Sequence, residues 1–210
     1  MERKIHNIIF DLGGVILSID YKLTEDAFKE LGIEDFKELY SQQRQLQLFD
    51  KFETGEITSQ EFVQAIQKIS NIDLKEKEII NAWNKMLIEL PLERFKFLQE
   101  LRKKFRLFLL SNTNELHIDG FTEIIDSTHG FHAFENLFEK IYYSNKTGLR
   151  KPDKKIFQKV IDENQLIPEA TLFIDDTEEH LAGAAAVGIN VLHLKKEEDI
   201  LELLKNYLKY

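Results

Sequence analysis

Apolar residues along this chain keep two different rhythms. Ile8–Phe10 is a short apolar run closed by Asp11 and the pair Gly13-Gly14, which predicts a buried strand ending at a loop. From about Tyr21 to Leu90 the apolar positions recur every three or four residues. The segments AFKELGI, EDFKELYSQQRQLQLFDKF, SQEFVQAIQKIS and KEKEIINAWNKMLIEL therefore predict successive amphipathic helices. The third has a legible start, because Thr58-Ser59-Gln60-Glu61 forms a capping box after the turn at Gly55. Beyond Pro91 the pattern changes. RLFLLS (106–111), KIYYS (140–144), TLFID (171–175) and NVLHL (190–194) are short aliphatic or β-branched runs separated by helical stretches. Strands alternating with helices predict a parallel sheet covered on both faces. The expected fold is α/β: a doubly wound, Rossmann-like parallel sheet, interrupted just after its first strand by a mostly helical insert. The C-terminal EEDILELLKNYLKY reads as an amphipathic helix docked on that sheet.

In such sheets ligands bind beyond the carboxyl ends of the strands. Asp11 follows the first strand, Ser111-Asn112-Thr113-Asn114 follows RLFLL, and Asp175-Asp176 follows TLFI. Thr147-Gly148-Leu149-Arg150-Lys151-Pro152 precedes a helix expected near Asp153. Together these supply a carboxylate, a hydroxyl with amides, a lysine and a carboxylate pair, a set suited to phosphoryl transfer. A carboxylate can attack phosphorus and split one hard displacement into two. Lysine offers a compact charge to phosphate and nucleophile, and Mg²⁺ needs only one or two carboxylates besides the substrate. Hydroxyl and loop amides can hold the phosphoryl oxygens, which carry the transition-state charge. The glycines let backbone groups come close to metal and phosphate.

Composition narrows the choice. A formal net charge of −9 argues against a bulk grip on nucleic acid, so an anionic ligand must be held locally. Cysteine is absent, which excludes thiolate chemistry and a disulfide framework. No apolar run approaches the roughly 18 residues of a membrane span. The apolar run before Asp11 is too short for a signal peptide. A soluble cytoplasmic protein without membrane or nucleic-acid partners is the expectation.

At four places in order, Asp11-Leu12-Gly13-Gly14-Val15, Ser111-Asn112, Lys151-Pro152 and Asp175-Asp176, the chain resembles the haloacid dehalogenase (HAD) superfamily of hydrolases. More narrowly, DLGGVI, SNTNELH, GLRKPD and FIDD are similar to its branch of small sugar-phosphate phosphatases. The resemblance covers nearly the whole chain and implies a core domain of residues 1–17 and 91–210 with a helical cap at 18–90. The cap would hinge near Leu17–Asp20 and Leu90–Pro91, close over the site and select the substrate. It also implies Asp11 as nucleophile and metal ligand, the Gly13 carbonyl as a second ligand, and Ser111 and Asn112 as phosphate-binding. Lys151 would steady nucleophile and phosphate. Asp176 would be the acidic Mg²⁺ ligand, with Asp175 second to it or alternative, and Glu179 would hold a metal-bound water. One position departs from the family. Its phosphatases usually carry, two residues after the nucleophile, an aspartate that protonates the leaving alcohol, and here that position is Gly13. Asp20, at the entry to the insert, and His117 are the nearby alternatives.

Each residue also has a plainer reading. Asp11 can cap a turn, Ser111–Asn114 can open a helix, and Asp175-Asp176 can cap the next one. Lys151 sits in a basic patch with Arg150, Lys154 and Lys155. His129 and His132 have the spacing of a metal pair but also that of a coincidence on one helix face. Trp83, Phe28, Phe36, Phe49, Phe52 and Phe62 read as packing inside the insert, some of them roofing the site. Three function classes follow: a Mg²⁺-dependent phosphatase of small phosphorylated metabolites working through an aspartyl-phosphate, a metal-free dehalogenase-type hydrolase, or a non-catalytic module binding a phosphorylated ligand or a partner protein.

Overall fold

The computed structural model describes residues 4–34, 36 and 43–209. Its centre is a five-stranded parallel sheet built from β1 (Asn7–Phe10), β4 (Arg106–Ser111), β5 (Lys140–Tyr143), β6 (Thr171–Asp175) and β7 (Asn190–His193), in the order β5-β4-β1-β6-β7. The expected α/β fold is therefore present, with the first strand in the middle. Alternation along β1 divides its side chains between two cores. Ile8 and Phe10 join Leu107, Leu109, Leu172 and Ile174 on one face. There they pack against Phe95 and Leu98 of α5 (Leu92–Arg102), Phe121 and Ile125 of α6 (Glu115–Thr128), and Leu204 of α11 (Ile200–Leu208). Ile9, Phe108, Leu110 and Phe173 face the other way, onto Ile156, Phe157 and Val160 of α9 (Lys154–Asn164) and Leu181 and Ala184 of α10 (Glu178–Ala185). Between β5 and α9 lies the short α8 (Ser144–Thr147), and α7 (Phe131–Glu135) precedes β5.

Residues between β1 and α5 form a separate cluster. Helices α1 (Tyr21–Glu30), α2 (Gln43–Glu53), α3 (Ser59–Ser70) and α4 (Glu76–Asn84) enclose Phe28, Phe36, Phe49, Phe52, Phe62 and Trp83, joined by Leu116 of α6. Phe28 stacks on Phe36 at 4.0 Å between centroids and Phe52 on Phe62 at 4.3 Å. The capping box starts α3 as its sequence indicates: Thr58 Oγ1 accepts from Glu61 N–H at 3.2 Å, and the Glu61 carboxylate accepts from Thr58 N–H at 2.8 Å. The segment EDFKELYSQQ, read as the start of a helix, falls largely outside the described residues.

Two boundaries differ from the periodicity. The helix read through KEKEIINAWNKMLIEL stops at Asn84, and Leu87–Glu89 is a strand, β3, antiparallel to β2 (Ser18–Ile19). The reason is Thr24, whose buried hydroxyl donates to the Trp83 carbonyl at 3.1 Å and accepts from Met86 N–H at 3.1 Å. Asp20 N–H adds a bond to the Met86 carbonyl at 2.9 Å, so the chain is drawn from helix into a ribbon. Ser144 likewise leaves the strand read as KIYYS and opens α8, exchanging bonds with the main chain of Thr113 at 2.9 and 3.0 Å. Among the described residues no helix is long and apolar enough to cross a membrane.

Candidate active site

Register decides which side chains meet. Phe10 pairs with Leu109 on one side and Ile174 on the other, so Asp11 and Asp175 leave neighbouring strands at the same level. Like carboxylates so placed need a cation between them, and Lys151 supplies it. Its ammonium, fully buried, donates to Asp11 Oδ1 at 2.6 Å and Asp175 Oδ2 at 2.7 Å. The lysine is itself fixed by Asn112, whose amide donates to the Lys151 carbonyl and whose oxygen accepts from Lys151 N–H, both at 2.9 Å. Asp175 takes further bonds from Thr177 N–H at 2.9 Å and from His180 Nδ1 at 3.0 Å. Asp176 is more open. Its Oδ2 lies against Gly14, which holds φ +80, and an added Cβ there would stand 2.4 Å from that oxygen.

The charges are unequally balanced. Burial raises Asp11 to about 6, Lys151 pulls it down, and Asp175 pushes it up again. Burial also raises Asp176, with Asp175 adding to it. For Asp175 burial acts in the same direction, but Lys151 and His180 outweigh it and hold the group below its ordinary value. Lys151 is penalised by burial, yet the two aspartates hold its proton more firmly than usual. One ammonium thus serves three carboxylates, each offering an oxygen within 4.8 Å of the others. With Asp175 saturated by hydrogen bonds, Asp11 and Asp176 keep oxygens for a cation. A hard divalent ion fits that donor set.

Above these groups is a cavity of about 330 Å³, lined by Asp11, Gly13, Ser111, Asn112, Lys151 and Asp176 from the sheet side and by Thr24, Phe36, Glu53, Trp83 and Met86 from the helical insert. Its size lies at the low end for small-molecule sites. Ser111 is buried within it. The side chain of Asn112 is occupied with Lys151, so it positions the lysine, a use that the residue type alone does not reveal. Asp20 lies elsewhere: its exposed carboxylate caps α1 by accepting from Lys22 N–H at 2.9 Å, and it is absent from the cavity wall. His117 does line the cavity, stacked on Trp83 at 4.8 Å, but burial lowers it to about 4. Its nitrogens lie 3.1 Å from Asn114 Nδ2 and 3.3 Å from the Trp83 carbonyl, so the ring is engaged, and burial outweighs the carbonyl's pull toward protonation. Glu179 is exposed on α10, away from the cavity wall. His129 bonds the Leu90 carbonyl at 2.7 Å and stacks on Phe95, a structural role.

Among the cavity residues that the sequence did not single out as site residues, three are charged or titratable groups near Lys151 or the aspartates: Glu53, Arg150 and His180. The phrase FETGE reads as an ordinary helix end, Arg150 reads as part of a solvated basic patch, and His180 reads as one polar residue in a helix. Arg150 in fact reaches the insert, paired with Asp50 and, at 2.9 Å, with Glu53.

Comparison with known proteins agrees with this geometry. A family model of haloacid dehalogenase-like hydrolases matches residues 5–188. D-ribitol-5-phosphate phosphatase of Bacteroides thetaiotaomicron is 32% identical over 172 residues, covering 82% of this chain and 83% of the relative. Sesquiterpene phosphatase astK of Aspergillus oryzae is 26% identical over 190 residues, 89% of this chain and 88% of the relative. The magnesium complex of a HAD family enzyme from Bacteroides thetaiotaomicron superposes with a TM-score of 0.88 at 32% identity, over 96% of this chain and 98% of the other. A structure from the same organism, bound to magnesium and inorganic phosphate, gives 0.84 at 32% identity over 93% and 96%.

Proposed function

The chain belongs to the haloacid dehalogenase-like hydrolases, and from that premise we propose a magnesium-dependent phosphatase of phosphorylated sugars or sugar alcohols that works through an aspartyl-phosphate. The observation that carries this reading is the buried triad of Asp11, Lys151 and Asp175 beside an under-neutralised Asp176.

The roles follow from the bonds. Asp11 attacks phosphorus with a carboxylate oxygen, the P–O bond to the alcohol breaks, and water then cleaves the acyl phosphate to free Asp11 and release phosphate. Lys151, held by Asn112 and Asp175, orients Asp11 and offers charge to the incoming phosphoryl group. Ser111 holds a phosphoryl oxygen through its hydroxyl. Asp11, the Gly13 carbonyl and Asp176 would hold Mg²⁺, which supplies the positive charge that lets an anionic nucleophile approach an anionic ester. Asp175 serves as the anchor of Lys151 and His180. The raised acids at 11 and 176 favour a metal over the metal-free dehalogenase chemistry, in which Lys151 alone would relieve them.

Residues 18–90 are assigned as a cap over a core of 1–17 and 91–210. The insert's own cluster around Phe28, Phe62 and Trp83 supports that division, and three bonds seat it on the core: Ser59 Oγ donates to the Glu115 carboxylate at 2.8 Å, Trp83 Nε1 to Asn114 Oδ1 at 3.3 Å, and Asn84 Nδ2 to the Leu116 carbonyl at 2.9 Å. Closure there dries the cavity, which strengthens each charge interaction. Gly13 has no proton to give the leaving oxygen, and neither Asp20 nor neutral His117 replaces it. Such help is typically worth 10²–10⁴-fold, so aryl phosphates, whose leaving groups need no proton, should turn over faster than alkyl ones. The test is phosphate release from p-nitrophenyl phosphate, D-ribitol 5-phosphate and other sugar phosphates, with Mg²⁺ or EDTA, for wild type and Asp11→Asn. Release that needs Mg²⁺ and vanishes in Asp11→Asn is expected. Release surviving in the variant removes Asp11 as nucleophile, and a folded protein releasing nothing removes the phosphatase.

A further inference from the structure

Glu53, the last residue of α2, is a largely buried acid in the cavity wall to which the proposed chemistry gives no task. It comes from the helical insert, facing a cavity whose floor holds Asp11 and Ser111, and 20% of its side chain remains accessible. Its Oε2 lies 2.9 Å from a guanidinium nitrogen of Arg150, yet that oxygen is buried and receives no hydrogen bond from the described residues. A carboxylate is acceptor-only with about four lone-pair sites, and one ion contact leaves most of them unmet. Burial pushes its carboxyl up to about 7, against the pull of Lys151. Hydrogen bonds to the charged form would bring it down again.

The surrounding wall directs what can fill that need. Phe36, Trp83, Met86, Leu87 and Ile19 present apolar surface. The Thr24 hydroxyl is spent on the Trp83 carbonyl, and the His117 ring is engaged by Asn114 and Trp83. Phosphate belongs on the sheet side of the cavity, among Ser111, Lys151 and Asp11, whereas Glu53 comes from the insert. What reaches Glu53 is therefore the alcohol part of the ester. We propose that Glu53 is a specificity-determining residue that accepts a hydrogen bond from a hydroxyl of the leaving alcohol. The preferred substrate is then the monophosphate of a polyol, not of a plain alkyl chain. Arg150 fixes the carboxylate for this purpose, and since it immediately precedes Lys151 it joins alcohol recognition to the phosphate end through one peptide bond. This inference rests on the phosphatase reading and adds the residue that selects the alcohol.

Three substrates test it: p-nitrophenyl phosphate, which has no hydroxyl to recognise; a pentitol 5-phosphate; and pentyl phosphate, its deoxygenated counterpart. Wild type should favour the pentitol ester over pentyl phosphate in kcat/KM. Glu53→Gln, which keeps the shape, and Glu53→Leu, which removes the acceptor, should lower kcat/KM for the pentitol ester about tenfold and a hundredfold respectively, mainly through KM. Both variants should hydrolyse p-nitrophenyl phosphate and pentyl phosphate within about threefold of wild type, which also shows that they fold. Equal losses on all three substrates, no loss on any, or a loss confined to kcat would overturn the proposal. Wild-type release from p-nitrophenyl phosphate with no preference for the hydroxylated ester overturns it while leaving the phosphatase standing. No release from any of the three removes both.

Discussion

Gly14→Ala separates a backbone penalty from a metal penalty. At φ +80 an alanine costs about 1–2 kcal/mol from the left-handed conformation alone. In addition its Cβ would stand 2.4 Å from Asp176 Oδ2. Ordinary contacts are about 3.5 Å, so the carboxylate must retreat by about 1 Å. Metal sites tolerate only about 0.2 Å in ligand distance, hence Mg²⁺ binding should collapse while the fold survives. Gly148→Ala is the matched control, because it has φ +69 with nothing within 4 Å of an added Cβ. The assay is thermal unfolding with EDTA and with Mg²⁺ at about a hundred times its Kd. Binding at that level stabilises by about 2.7 kcal/mol, or about 5–10 °C for a chain of this size. Wild type and Gly148→Ala should both show that rise, with Gly148→Ala starting a few degrees lower. Gly14→Ala should start comparably low and show no rise. A full Mg²⁺ response in Gly14→Ala, or its loss in Gly148→Ala, would refute the placement of the ion at Asp176.

Three further outcomes are expected. Lys151→Met strands Asp11 and Asp175 in the interior and should cost about 3–5 kcal/mol in urea unfolding at pH 7. Both carboxyls then titrate above their unfolded values, so the folded state binds more protons than the unfolded one and the deficit should shrink at pH 5; a deficit equal at both pH values would contradict this. In metal-free protein Asp11 titrates near 6 against an ordinary 3.8. Its contribution to stability is therefore present below about 4 and lost as the pH rises through 6, and Mg²⁺, which binds the ionised form, should raise the melting temperature more at pH 7 than at pH 5. Asn112→Ala removes both bonds that position the main chain of Lys151. It should lower kcat about tenfold to a hundredfold with little change in KM for p-nitrophenyl phosphate, and a change confined to KM would return Asn112 to a direct role in phosphate binding.

Residues differ sharply in how much of their part can be read from the chain. Strands β1, β4 and β6 are apolar on both faces because helices cover both, so their runs are continuous and their ends are marked by Asp11, Ser111 and Asp175. The floor of the site was legible for the same reason at Asp11, Ser111 and Asp175-Asp176, which follow such runs, whereas Lys151 stood out only in the loop ahead of a helix. Ribbon β2–β3 was not, because two and three residues carry no periodicity and their partners lie some seventy positions apart. Asn112 stood out as a polar residue in the right place, but the fact that its amide fits the main chain at 151 depends on how two loops pack. Asp20 follows an old rule for helix starts, and that rule placed it: the cap geometry turns its carboxylate back onto α1. Glu53 was hidden because an acid at the end of an amphipathic helix reads as solvated, and only the folding of the insert onto Arg150 buries it.

The pairing of β2 with β3 has an evolutionary consequence. Ser18 and Glu89 are register partners, so the seventy-odd residues between them begin and end about one strand spacing, some 4.8 Å, apart. To the sheet, that whole segment is a hairpin whose tip has grown into helices, and a two-residue turn could close the same pair. Asp11, Ser111, Lys151, Asp175 and Asp176 all lie outside the cassette, whereas Glu53 lies within it. The proposed bond-breaking machinery and the proposed choice of alcohol thus lie on pieces of chain that could be exchanged separately, provided a new insert still met Arg150.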